Sequence, residues 1–177
     1  MLSSIWRAAP VSCLAAVLAA CAPALNWRDV RPEGSGAQLL FPCKPDQQER
    51  PVALAGPPVR YTLQVCSTAD QTWALAHADV VDPGRVAAAL AALKAGAAAN
   101  LGPSGAAAST AQAVPGATPQ AGGGRLRLRG QRSDGQPVEM QVLVFARGTR
   151  VFQASVAGAA LADEAVETYF GSIHFPP

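Results

Sequence analysis

Two alternating runs stand back to back in the middle of the chain and constrain its fold more than any other feature. Val59–Ser67 sets Tyr61, Leu63 and Val65 on one face and Arg60, Thr62 and Gln64 on the other. Thr72–Val81 repeats the pattern, with Trp73, Leu75 and His77 on one side. A period of two residues is the mark of a half-buried β-strand. The connecting Thr68–Gln71 has room only for a turn, so the two runs form an antiparallel hairpin. A lone hairpin is marginal in water, so the rest of the chain must extend this sheet and cover it.

The remaining elements are read in the same way. Asp82-Pro83 is a helix start, an acid at the N-cap followed by proline at the first helical position. The helix runs to about Asn100, with Val86, Leu90, Leu93 and Ala97 in one apolar stripe, and Gly102-Pro103 ends it. The segment at about 102–124 is Ala/Gly/Pro-rich and reads as a flexible surface insertion. Arg125–Gly130 alternates again, with Leu126 and Leu128 inward. Ser133-Asp134-Gly135 is a turn, Val138–Ala146 and Arg150–Ala157 are strands, and Leu161–Gly171 is a closing helix with Gly171 as its C-cap. Upstream, Trp27–Val30, Gln38–Phe41 and Pro51–Ala55 are short strands, and Lys44–Arg50 is a polar loop. The expectation is an α+β single domain over 37–175. It has an antiparallel sheet of about five to six strands, with two helices packed against one side.

Charge narrows the functional classes. The formal net charge of the 177-residue chain is +2, from 14 basic and 12 acidic residues. There is no polybasic block or acidic tail, so nucleic acid is not an expected partner.

Residues 1–20 have the anatomy of a secretory signal. Arg7 supplies the positive region, and Val11–Ala20 is an apolar stretch too short to span a membrane. The segment ends in Leu18-Ala19-Ala20-Cys21, which resembles the bacterial lipobox: an aliphatic residue, two small residues, then the cysteine that takes the lipid. The resemblance implies an exported lipoprotein cut before Cys21, with residues 21–36 as lipidated tether and entry segment. Ala22 stands where Asp would retain such a protein in the inner membrane. The resemblance therefore implies the outer membrane, facing the periplasm of a Gram-negative bacterium. The partner this implies is the membrane itself, held through acyl chains whose buried methylenes contribute ~0.8 kcal/mol each.

With Cys13 discarded and Cys21 lipidated, Cys43 and Cys66 remain. An even pair in an exported chain points to a disulfide, worth ~3 kcal/mol in the chain-entropy model. Two buried free thiols or a redox pair are the alternatives, and the C-x-x-C spacing usual for redox sites is absent.

Two short segments carry a second resemblance. Phe41-Pro42-Cys43-Lys44-Pro45 and Tyr169-Phe170-Gly171-Ser172-Ile173 are similar to segments of secreted proteins with the Mog1/PsbP-like fold, an antiparallel sheet flanked by helices. The resemblance spans roughly residues 37–175 and implies fold alone. The family is functionally mixed and largely accessory, and these residues look like packing and turn positions.

Catalytic signals are sparse. Only His77 and His174 offer an imidazole base, and no G-x-S-x-G elbow surrounds a serine. His77-Ala78-Asp79 sets two metal-ligand types on one strand face, with Asp82 nearby, but spacing supplies no further ligand. Asp163, Glu164 and Glu167 suit the start of the last helix, where acids favour the helix dipole. Gly122-Gly123-Gly124 lacks the lysine of a phosphate loop. No catalytic residue, metal or cofactor is expected. The remaining hint is basic. Arg125, Arg127, Arg129, Arg132, Arg147 and Arg150 fall within one stretch. Arg125, Arg127, Arg129, Arg147 and Arg150 make a candidate interaction face for an envelope protein or anionic headgroups. The reading is a non-enzymatic accessory or interaction domain on a membrane anchor. The alternative is a small-ligand-binding lipoprotein using a cleft between sheet and helix, lined by Trp73 and Tyr61.

Overall fold

The computed structural model describes residues 25–68, 70–101, 108–132 and 134–177. The expected signal segment 1–20 and the lipidation site Cys21 lie outside the described residues. The described chain is α+β, with two helices and nine strands in two sheets.

The expected hairpin is β4 (Pro58–Thr68) and β5 (Gln71–Asp79), paired from Tyr61↔Ala78 to Thr68↔Gln71. Around it lie β3 (Asp46–Ala53), β6 (Ala108–Thr110), β7 (Gly124–Gln131), β8 (Pro137–Arg147) and β9 (Arg150–Gly158). The order is β3-β4-β5-β9-β8-β7-β6, antiparallel throughout. β1 (Arg28–Val30) and β2 (Leu39–Phe41) form a separate two-stranded sheet.

Seven strands in the main sheet exceed the expected five to six because two edges were misread. The Lys44–Arg50 loop is largely strand, since β3 covers Asp46–Ala53 and almost all of it is exposed. An edge strand wet on both faces needs no apolar alternation, and its charges and Pro51 discourage pairing with another chain. The insertion is also more ordered than expected. β6 pairs with β7, Val114 is buried in the core, and Thr118 N–H donates to the Ala146 carbonyl at 2.8 Å. Small residues let this segment lie flat along β8 and satisfy backbone groups there.

The helices lie on opposite faces of the sheet, not on one. A 3₁₀ turn (Pro83–Arg85) is capped by Asp82, whose Oδ1 accepts from Gly84 N–H at 2.8 Å, and leads into α1 (Val86–Ala99). α1 packs Leu90 and Leu93 against one face, with Tyr61, Ala76, Val142 and Val144. α2 (Asp163–Ser172) packs Val166, Tyr169 and Phe170 against the other, with Trp73, Leu75, Phe152 and Phe41. Gly171 lies inside α2 and Ile173 is its C-cap, which moves the expected helix end. Burial of both faces explains the run Val142–Ala146, buried at every position.

The second face is an aromatic core. Trp73 and Tyr169 rings meet edge-on at 5.3 Å, Phe41 and Tyr169 at 5.5 Å, and Phe145 stacks on Phe152 at 4.9 Å. Tyr169 Oη donates to the Ala74 carbonyl at 2.8 Å, which satisfies a fully buried hydroxyl. The two short motifs meet here: Ser172 Oγ accepts from Leu40 N–H at 2.9 Å, and Gln38 pairs with His174. Cys43 and Cys66 are joined in a disulfide that ties the end of β2 to β4.

Candidate functional site

The aromatic core covers only part of its face. Toward β3 and β4 that same face turns polar, in a row fixed by register: Glu49↔Thr62, Thr62↔His77 and His77↔Phe152. Phe152 closes the apolar side of the row, with His77 tilted against it at 5.9 Å between rings. The next row carries Gln47, whose Oε1 accepts from Gln64 Nε2 at 2.6 Å.

A loop roofs this corner. Ser35 is buried, its Oγ donating to the Pro32 carbonyl at 2.7 Å and accepting from Ala37 N–H at 3.0 Å. Gly34 has φ 70°, which lets the loop reverse over the sheet. Arg150 at the start of β9 holds the loop down: Nη1 donates to the Ser35 carbonyl at 3.2 Å. Between roof and sheet is an open cavity of about 480 Å³. Gln47, Glu49, Arg60 and Thr62 line one side, and Glu33, His77, Asp79 and Arg150 the other.

His77 is the most buried titratable group in the wall, 7 % exposed, and its Nε2 has no hydrogen-bond partner. Burial lowers its pKa below the usual histidine value, and the Arg150 guanidinium pushes the same way; Glu49 and the Glu33 backbone act in opposition. The imidazole is therefore neutral at pH 7. Asp79 is pulled below the usual carboxylate range by the Thr149 hydroxyl at 2.7 Å and by Val81 N–H at 2.8 Å. Two ion pairs flank the cavity, Glu49–Arg60 at 3.7 Å and Asp79–Arg150 at 3.8 Å. Both are longer than a hydrogen bond, so donors and acceptors on each remain available.

Asp79 also supports a strained turn. Asp82 N–H donates to the Val80 carbonyl at 2.7 Å, leaving Val81 at the centre of a γ-turn with φ 63°. A β-branched residue in that region is unfavourable. Val81 is also 78 % exposed.

The expected arginine face is arranged differently. Arg125 is folded onto the protein, its side chain 12 % exposed and its guanidinium 4.5 Å from the Phe170 ring. It bonds Glu167 at 2.8 Å and donates from Nε to Gln141 Oε1 at 2.8 Å. Arg127 pairs with Asp163 at 2.9 Å and Arg129 with Glu139 at 2.7 Å. Arg147 lies over the Phe175 ring, and Arg150 belongs to the polar cavity. Arg125, Arg127 and Arg129 thus share one face of β7, each paired with an acid, while Arg147 and Arg150 lie apart from that row. The acids Asp163 and Glu167, read from sequence as dipole partners of α2, are the counter-charges to Arg127 and Arg125.

The expected cleft is also filled. Trp73 is fully buried on the α2 face and Tyr61 is buried on the α1 face, so the two do not line a common space. His77 and Asp79 do come together in the cavity wall. His174 is elsewhere, its Nδ1 against the Ser172 carbonyl at 2.8 Å. Among the described residues, no group of three His, Cys, Asp or Glu side chains could hold a metal ion, and no helix is long and apolar enough to cross a membrane.

Sequence reasoning missed Glu33, Gln47, Glu49 and Thr62 as partners of His77. The only available signal was that Arg60, Thr62 and Gln64 made one polar strand face across the hairpin from His77. No family model matches the chain, and no curated protein sequence matches it.

Proposed function

We propose that the chain is an exported lipoprotein, anchored through lipid on Cys21, whose Mog1/PsbP-like domain has a non-enzymatic binding or accessory role in the cell envelope. The observation that carries this reading is the Cys43–Cys66 disulfide, because such bonds persist in oxidising compartments. It agrees with a signal segment that ends in a lipobox. A non-enzymatic role is supported by the setting of the two histidines: His77 Nε2 has no partner, and the partner of His174 is a backbone carbonyl. Neither arrangement activates a nucleophile. The pairing of Arg125, Arg127 and Arg129 with acids favours an envelope component over a sheet of anionic headgroups.

Growth with an alkyne analogue of palmitate tests the anchor. The native chain should carry label and fractionate with membranes, and Cys21→Ser should carry none. Label on both forms, or on neither, refutes the anchor.

A further inference from the structure

The cavity under the Pro32–Gly36 loop combines every kind of hydrogen-bonding group in a small volume. Glu33, Glu49 and Asp79 only accept as carboxylates, and Arg60 and Arg150 only donate. Thr62, whose hydroxyl donates to Glu49 Oε1 at 3.4 Å, keeps an acceptor, and Gln47, whose Oε1 accepts from Gln64, keeps its amide donors. The volume, about 480 Å³, lies in the range of small-molecule sites, roughly 300–1,000 Å³. We propose that this cavity binds a small, neutral, polyhydroxylated ligand of the saccharide class.

Three features select that class. First, the two ion pairs put opposite charges on both sides of the cavity. A simple anion or cation would meet a like charge wherever it sat, whereas a hydroxyl donates to a carboxylate and accepts from the neighbouring guanidinium. Second, those pairs are too long to saturate their own groups, so a ring hydroxyl can bridge them without breaking a short bond. Third, the walls are already set. Thr62 and His77 are buried polar residues held in strand register, and Arg150 fixes the roof loop through Ser35. A prepared site loses less in ordering on binding. Among the described residues no Phe, Tyr or Trp lines the cavity, so recognition runs through hydroxyl edges and a ring face stays free. That arrangement suits millimolar affinity, about 4 kcal/mol.

The proposal concerns the folded domain and does not depend on the lipid anchor, so the two can fail separately. The test is titration of the isotope-labelled full chain in detergent micelles, followed by amide chemical shifts, with N-acetylglucosamine, glycine and inorganic phosphate as probes. N-acetylglucosamine should shift the amides of Thr62, His77 and Ala78 with saturation below about 50 mM. Glu49→Ala and Arg60→Ala are on exposed side chains and should keep the fold, seen as otherwise unchanged spectra. Each should weaken the sugar at least about fivefold, and the double variant more than about tenfold. No shift at about 50 mM sugar refutes the site. Saturable shifts at these amides with glycine or phosphate in place of sugar refute the ligand class. Sugar shifts that persist undiminished in the double variant place the binding elsewhere and also overturn the proposal.

Discussion

Arg125→Met separates a structural arginine from an interaction arginine. The substitution keeps the aliphatic stem in place and removes the guanidinium. Gln141 is 4 % exposed, so its Oε1 loses its donor and stays buried, at about 1–3 kcal/mol. The stack on Phe170 adds about 1 kcal/mol. The Glu167 partner is 64 % exposed, so solvent screens that pair to under about 1 kcal/mol. The total is about 3 kcal/mol, or a fall in Tm of roughly 6–12 °C for a domain of this size. Urea unfolding followed by circular dichroism measures it, with an unchanged m-value as the check on two-state behaviour. Arg125→Met/Gln141→Leu should recover about 1 kcal/mol, because replacing both partners leaves no orphaned group. By contrast, Arg127→Ala and Arg129→Ala should each stay within about 1 kcal/mol, since both guanidinium groups are on exposed side chains screened by solvent. A loss below about 1 kcal/mol for Arg125→Met, equal to that of its neighbours, would refute the assignment of Arg125 to the packing of α2.

Two further outcomes follow from strain and protonation. His77 has a folded pKa below its unfolded value, so the unfolded chain binds more protons and stability rises with pH across that interval. Stability should be full above about pH 6.5 and fall as the pH drops below it, and His77→Gln should flatten this slope in urea titrations between about pH 7 and 5; an unchanged slope in the variant counts against the assignment. Val81→Gly relieves a positive φ at an exposed site and should stabilise the domain by about 1 kcal/mol in calorimetry, whereas a destabilisation would show that the side chain has a packing role.

The parts of the fold legible in the sequence are those with a period. The β4–β5 hairpin and the stripe of α1 depend on local spacing and take their expected places, whereas Asp82 caps a 3₁₀ turn that precedes α1. β3 has no such signature, because an edge strand exposed on both faces buries no alternate residues. The opposite placement of the helices was obscured on β5, where the α1 face is lined by Ala76 and Ala78, too small to stand out beside Trp73 and Leu75. The run Val142–Ala146 carried the missing information, since a strand apolar at every position needs cover on both sides. The polar cavity was hidden for another reason. Its walls come from residues 33 to 150, and only strand register brings Glu49, Thr62 and His77 into one row.

The position of Leu25, the first described residue, bears on the proposed anchor. Leu25 packs against the aromatic core and lines a recess with Thr68, Gln71, Ala160, Ala162 and Ala165, at the turn that joins β4 to β5. From Cys21 to Leu25 the chain can reach at most about 14 Å, so a lipid on Cys21 would keep this end of the domain near the bilayer. The cavity lies toward the other end of the same strand. β5 runs from Gln71 beside Leu25 to Asp79 in the cavity wall, a span of roughly 25 Å at the usual strand rise. With β5 directed away from the bilayer, that distance would exceed the screening length of about 8 Å at physiological ionic strength, and headgroup charge would scarcely reach Arg150. With an anchor on Cys21 and β5 directed away from the bilayer, a cavity flanked by charges of both signs would meet a soluble or wall-borne ligand before a lipid headgroup.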